Sequence, residues 1–202
     1  VMVPAVTWPQ ALAWRLARHH LRAAPAPSVE SVVRDLCGVQ SQVPSSAEAA
    51  IRVRQAGGGR DGEVDAALAD GRLLRTWAMR GTLHLLTPAD GPAFLSLRAA
   101  GRSWAQPSWQ TYFGVTPEQV ERMRVLVREA LLASGPLTRE ELIAAVTAHE
   151  GTDHLGDALR SGWGTLLKPI AWQGDLCHGP MRGRNVTFQH PSVACPGWPG
   201  IP

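Results

Sequence analysis

Long apolar runs are missing from this chain of 202 residues. No stretch reaches the 18 or more consecutive apolar residues that indicate a membrane-spanning helix. Residues 1–5 also lack the basic and apolar segments that open a secretion signal. Hydrophobic residues still make up 45% of the chain, which is ample material for a core. We therefore expect a cytoplasmic protein that makes no use of a membrane.

Cysteine is scarce as well. Cys37, Cys177 and Cys195 are odd in number and widely spaced, which fits neither a disulfide framework nor a paired CxxC zinc site. The histidines also lack the close spacing of metal ligands. The glycine-rich residues 57–62 lack the Lys-Ser/Thr pair of a phosphate-binding loop. We expect free thiols in a reducing compartment and no bound metal.

Lysine is nearly absent, because Lys168 is the only lysine among 20 basic side chains. The net charge is +3, and the basic excess lies in residues 1–100. This balance permits nucleic-acid binding but is too mild to establish it. Arginine suits bidentate contacts with phosphate or guanine, although a GC-rich genome would favour arginine without any such role.

Helical patterns dominate the chain. Capping signals and apolar periodicity predict helices at residues 8–21, 28–37, 45–55, 63–69, 88–100, 116–133, 138–149 and, with glycine interruptions, 154–172. A capping box at Ser45 and Glu48 would begin the third helix. Gln40 and Gln42 would then lie on a loop between two helices. His20 ends the first helix, where a cation is favourable and can face DNA.

Residues 75–84 (RTWAMRGTLH) predict a basic β-hairpin, here called the first hairpin. Two short alternating runs meet at Gly81, a residue that tolerates the positive φ of a turn. Arg75, Arg80 and His84 lie on or beside this hairpin, where cations can enter a groove or contact phosphates. His84 could instead be a half-buried packing residue, and we expect Trp77 and Met79 to lie in the core or at an interface.

A second hairpin is predicted over residues 175–189, with Arg182 and Arg184 at its tip. The order helix, helix, helix, hairpin thus occurs twice. This predicts a mainly α fold with small β-hairpins, built as tandem winged-helix units. The predicted divisions are a first unit at 1–103, an aromatic linker at 104–115, a second unit at 116–190 and an extended Pro-rich tail at 191–202.

Three segments carry a resemblance to a known family: residues 6–21, residues 38–42 (GVQSQ) and residues 75–84. Together they resemble the tandem winged-helix DNA-binding family that includes the azinomycin-resistance (AlkZ-like) DNA glycosylases, over most of residues 6–188. Members usually carry three winged-helix units in about twice this length. The resemblance therefore implies a shortened member or a fragment without the third unit.

The resemblance implies a monofunctional DNA glycosylase. Its substrates would be N7-alkylated purines or interstrand crosslinks in duplex DNA, hydrolysed at the N-glycosidic bond. Gln40 and Gln42 match the catalytic QxQ motif, in which amides would position water and nucleobase rather than remove a proton. The family implies no metal or organic cofactor, a monomer, and a bacterial cytoplasmic protein held at the nucleoid through DNA.

Three alternatives remain open from the residues. The two glutamines could be loop residues that cap the next helix. The chain could be a non-catalytic winged-helix protein, a transcriptional regulator or an architectural module, with recognition helices in the major groove. It could also be a truncated domain with neither activity.

Overall fold

The computed structural model describes residues 5–22, 25–160 and 165–201. This part of the chain is mainly helical with a small antiparallel sheet, so the predicted fold class is confirmed. The helices are α1 (Trp8–Arg18), α2 (Val29–Asp35), α3 (Pro44–Arg52), α4 (Glu63–Ala69), α5 (Gly91–Ala100), α6 (Pro107–Phe113), α7 (Pro117–Ser134), α8 (Arg139–Thr147), α9 (Leu155–Arg160), α10 (Lys168–Trp172) and α11 (Pro191–Ala194).

Six strands form one antiparallel sheet in the order β1-β3-β2-β5-β6-β4. They are β1 (Val39–Gln40), β2 (Leu74–Trp77), β3 (Leu83–Leu86), β4 (Leu137–Thr138), β5 (Cys177–His178) and β6 (Thr187–Gln189). Strands β2 and β3 form the first hairpin, and β5 and β6 form the second, both as predicted. Arg75 of β2 pairs with His178 of β5, which joins the two hairpins edge to edge. The division into two winged-helix units stays a prediction.

Capping boxes begin three of the predicted helices. The pairs Thr7 with Gln10, Thr116 with Gln119, and Thr138 with Glu141 begin α1, α7 and α8. In each pair the hydroxyl accepts from the third backbone N–H, and the later side chain accepts from the N-cap backbone N–H. Helix starts set by such local hydrogen bonds agree with the sequence prediction.

The capping box predicted at Ser45 and Glu48 is wrong. Helix α3 begins earlier, at Pro44, with Val43 at the N-cap and no side-chain cap. Proline has the φ of a first helical turn and no N–H that needs a partner there, so it can begin the helix unaided. Glu48 instead accepts a hydrogen bond from the Gly62 backbone N–H at 2.9 Å.

Two regions are more ordered than the sequence suggested. Residues 104–115, predicted as an aromatic linker, are mostly helical, and Trp104 is buried 6.3 Å from the Trp172 ring. The tail was predicted to be extended, which is wrong for α11. Beyond α11, the Trp198 ring packs closely on Gly91 of α5. Buried contacts with distant residues therefore order both regions, and the domain boundary stays a prediction.

The buried side chains form two clusters. The larger one joins β2, α5, α7, α8, α10 and β6, and the smaller one lies between α2, α3, α4 and β3. Trp77 is buried and contacts His178 and Phe188 ring to ring, so its predicted place in the core is confirmed. Within the described residues, no helix has both the length and the apolar character needed to cross a bilayer. The predicted helix at 154–172 lies partly outside the described residues, at 161–164.

Candidate functional site

The segment with the two glutamines is attached to the first hairpin. Gln40 lies at the end of β1 and pairs with His84 of β3, so the predicted loop position of Gln40 is wrong. The Ser41 N–H donates to the Leu83 carbonyl at 2.8 Å. Gln42 follows the strand, and its Oε1 accepts from the Leu83 N–H at 3.3 Å. Both glutamine side chains are exposed, on a backbone that β3 holds in place.

His84 lies beside Gln40 on the sheet. It pairs with Gln40 on one side and Thr76 on the other, and directly paired residues in antiparallel strands point to the same face. The side chain is only 5% exposed, and its Nδ1 lies 2.9 Å from the Thr82 carbonyl oxygen. Because a carbonyl can only accept, Nδ1 must carry the hydrogen, and Nε2 of the neutral ring is an acceptor.

This arrangement matches what water positioning requires. An amide from Gln40 and the acceptor nitrogen of His84 belong to paired residues of neighbouring strands, where Cβ atoms are typically about 5 Å apart. Donor and acceptor groups at that spacing can hold one water molecule between them. The sequence pattern predicted the two glutamines but did not place His84 next to them.

Gly38 positions the glutamine segment. Its φ is +104°, a value that side chains rarely adopt. A Cβ at this position would lie 2.8 Å from Leu86 Cδ2 and 2.9 Å from Met79 Cε. The backbone that leads into β1 thus passes directly over the first hairpin, which only glycine permits.

Arg80 is at the tip of the first hairpin, as predicted. It is exposed, has a φ of +55° and forms no ion pair with any residue that the structure describes. Lys168 lies close to this tip. Its Nζ is 3.9 Å from the position that a Cβ would take at Gly81. Burial, and secondarily the charge of Arg98, lower the pKa of Lys168. No sequence pattern indicates a role for Lys168, since residues 81 and 168 meet only through the fold.

The tip of the second hairpin carries one engaged arginine and one open one. Arg182 donates to both Glu141 carboxylate oxygens, at 2.7 and 2.9 Å, and to the Pro136 carbonyl at 2.7 Å. Arg184 is exposed and has no ion-pair partner among the residues described. Arg182 therefore holds the hairpin to α8, while Arg184 is available for a ligand.

His20 and Arg75 are away from the hairpin tips. The His20 Nε2 lies 2.8 Å from Asp35 Oδ2, and this hydrogen bond is the main cause that lowers the pKa of Asp35. The contact connects the end of α1 to α2. Arg75 is half-buried in the middle of β2, opposite His178, and burial lowers its pKa. Whether any of these residues contacts DNA stays a prediction.

The chemistry available here is that of amides, one imidazole and exposed guanidinium groups. Across residues 5–22, 25–160 and 165–201, no group of three or more His, Cys, Asp or Glu side chains is arranged to hold a metal ion. All three cysteines are free; Cys177 is fully buried, which raises the pKa of its thiol, and Cys195 has its pKa raised by burial to about 11. Neither buried thiol is a ready nucleophile.

Comparison with known proteins adds a family and a close relative. A family model of AlkZ-like DNA glycosylases matches residues 33–196. The chain is 46% identical over 186 residues to an interstrand DNA cross-link repair glycosylase of Streptomyces sahachiroi, covering 92% of this chain and 50% of that protein. The solved structure of the Streptomyces sahachiroi DNA glycosylase AlkZ superimposes with a TM-score of 0.93 at 44% identity, covering 98% of this chain and 53% of that one. The chain thus spans about half the length of the relatives that it matches.

Proposed function

The chain belongs to the AlkZ-like DNA glycosylase family, and from this membership we propose that it acts in hydrolysing the N-glycosidic bond of N7-alkylated purines or interstrand crosslinks in duplex DNA. The observation that carries the proposal is the exposed Gln40 and Gln42, held to β3 beside His84. Because the relatives are about twice as long, the activity of this chain by itself is part of the proposal.

The substrate needs little activation. An N7-alkylated guanine carries a positive charge, so when the C1′–N9 bond breaks, the base leaves as a neutral molecule with the bonding electrons. Water then adds to the electron-poor C1′ and loses a proton. The enzyme must mainly place this water, which pre-oriented amides can do without acting as bases.

The site residues divide these tasks. The Gln40 amide orients the water and the nucleobase, and Nε2 of His84 accepts a hydrogen bond from the same water. Gln42 keeps the segment on β3 through Leu83 while its NH₂ group can reach the nucleobase. Since the backbone fixes these groups before DNA arrives, little reorganisation is needed during reaction.

Duplex DNA is the partner that this proposal requires. Arg80 and Arg184, at the tips of the two hairpins, are the exposed cations best placed to contact phosphates or enter a groove. We further propose that the protein works as a monomer in the bacterial cytoplasm, associated with the nucleoid through DNA, and as tandem winged-helix units. Bulky or crosslinked bases favour attack from a groove, without full extrusion of the nucleotide.

The decisive experiment measures abasic-site formation. Duplex DNA containing N7-methylguanine or a nitrogen-mustard crosslink is incubated with the wild-type chain or with Gln40→Ala/Gln42→Ala, at matched DNA occupancy. We expect the double substitution to reduce the single-turnover rate by about 10²-fold or more. Gln106→Ala is the matched control, because Gln106 is exposed and makes no side-chain cap bond at the start of α6. Equal rates for the double variant and the wild type would refute the role of the glutamines.

One observation favours a second function. Gln42 Oε1 is already occupied by the Leu83 N–H, which is a structural role that a non-catalytic protein would also need. The rival is therefore a winged-helix DNA-binding protein without turnover, a regulator or an architectural module. The same experiment separates the two, because such a protein would bind duplex DNA tightly and yield no abasic sites.

A further inference from the structure

A cleft of about 500 Å³ lies between α4, the beginning of β2 and the second hairpin. Its volume is within the range of small-molecule sites. Much of its wall is apolar and is formed by Leu68, Ala69, Leu73, Leu74, Val193 and Ala194. No residue of β1 or β3 lines it, so it is separate from the glutamine site.

In each of two polar side chains of this cleft, one buried nitrogen lacks a partner among the residues that the structure describes. Arg75 and His178 are neighbours across β2 and β5, and both line the cleft. Arg75 Nε and His178 Nε2 are shielded from solvent, and neither has a hydrogen-bond partner in the described part of the chain. Folded proteins leave few buried polar atoms unpaired, so two adjacent ones call for an explanation such as a ligand.

The charge in the cleft is also incompletely balanced. Burial, and secondarily the charge of Arg75, lower the pKa of His178 to about 3, so its imidazole is neutral near pH 7. Asp65 lies on the cleft wall and its charge acts on Arg75, but the two form no salt bridge. The half-buried guanidinium thus has no direct counter-ion among the described residues.

We propose that this cleft binds a small organic anion, with a carboxylate at Arg75 and an apolar body against the leucine walls. The planar guanidinium matches a carboxylate in two parallel hydrogen bonds. His178 lines the cleft beside Arg75, and Leu68 and Val193 can cover a ring or a short aliphatic chain. The proposal does not depend on glycosylase chemistry, because Gln40, Gln42 and His84 lie outside the cleft.

The probe is 4-fluorobenzoate, followed by ¹⁹F NMR with the full chain. We expect saturable binding that weakens about tenfold or more in Arg75→Gln, because a charge-assisted bidentate contact is lost. The neutral 4-fluorobenzamide should bind about tenfold more weakly than the benzoate for the same reason. Arg122→Gln is the matched control, since Arg122 is exposed on α7 and outside the cleft, and its affinity should stay within about twofold of wild type.

A second variant guards against an unfolded Arg75→Gln protein. Val193→Trp adds bulk at the cleft wall without removing charge, and with circular dichroism unchanged it should abolish benzoate binding. Absence of saturation in the wild type, equal binding of the benzamide, or unchanged binding by a folded Val193→Trp would each overturn the proposal. It would also fail if duplex DNA displaced the benzoate and Arg75→Gln weakened DNA binding, because the cleft would then belong to the DNA surface.

Discussion

At the scale of single residues, Gly38 decides where the two glutamines lie. Its positive φ and the nearby Leu86 and Met79 side chains leave no room for a Cβ. We expect Gly38→Ala to lower the free energy of unfolding by about 2 kcal/mol or more, from backbone strain together with overpacking. Urea denaturation followed by circular dichroism measures this loss.

The control for this change is Gly57→Ala. Gly57 also has a positive φ, of +69°, but a Cβ there would meet nothing within 4 Å. The difference between the two variants isolates the crowding against the first hairpin. If both variants lose the same free energy of unfolding, the crowding at Gly38 contributes nothing to the loss.

His84 offers a second test at this scale. Its Nδ1 donates to Thr82 and its Nε2 is the acceptor assigned to the water, so the two nitrogens can be replaced separately. Asparagine mimics the position of Nδ1, and glutamine mimics that of Nε2. We expect His84→Asn to lower the single-turnover rate by about 10²-fold and His84→Gln to lose clearly less. Equal losses would indicate that His84 only packs in the sheet.

Among the helices and strands, the sequence predicts the positions of those elements that local hydrogen bonds determine. Three capped helix starts and both hairpins lie where the patterns placed them, because the capping partners are three residues apart and the hairpin partners at most 12. Strand β1 was missed, since its two residues pair with β3 more than 40 positions away and carry no local strand pattern. The helix start at Pro44 was misjudged because a Ser-x-x-Glu spacing also occurs inside a helix.

The two hairpin tips should respond differently to loss of charge. Arg80 has no ion-pair partner among the described residues, whereas Arg182 is bound by Glu141. We expect Arg80→Gln to weaken duplex binding regardless of sequence and to reduce the slope of log K against log salt by about 1. Arg182→Gln should change this slope much less and should instead loosen the hairpin. Fluorescence anisotropy across a salt series measures both, and similar slopes for the two variants would contradict this division.

At the scale of the whole molecule, the candidate site depends on contacts that no sequence pattern announces. The QxQ spacing and the basic first hairpin pointed to Gln40, Gln42 and Arg80. Other neighbours are brought together only by sheet pairing and helix packing. These contacts place His84 beside Gln40, Arg75 opposite His178, and Lys168 near Gly81. Long-range pairing thus determines which of the predicted residues can act together.

The junction of the two hairpins should make the stability of the molecule sensitive to acid. His178 lies at this junction, in contact with Trp77 and Phe188, and burial lowers its pKa from 6.5 to about 3. The unfolded chain therefore binds a proton that the folded chain excludes, and stability falls as pH decreases through this range. From pH 6.5 to 5 the loss should be about 2 kcal/mol.

Denaturation in urea at several pH values measures this loss. His178→Phe should flatten the profile between pH 6.5 and 5, because phenylalanine keeps the ring contacts and takes up no proton. The pKa values of the Asp35 and Asp175 carboxyl groups are lowered in the folded protein. These groups therefore change the stability only below about pH 4, outside the range from pH 6.5 to 5. His149→Phe, at an exposed position, should keep the wild-type slope. A slope unchanged by His178→Phe would show that the imidazole is hydrated at this junction, and that the two hairpins pack less tightly there than their pairing indicates.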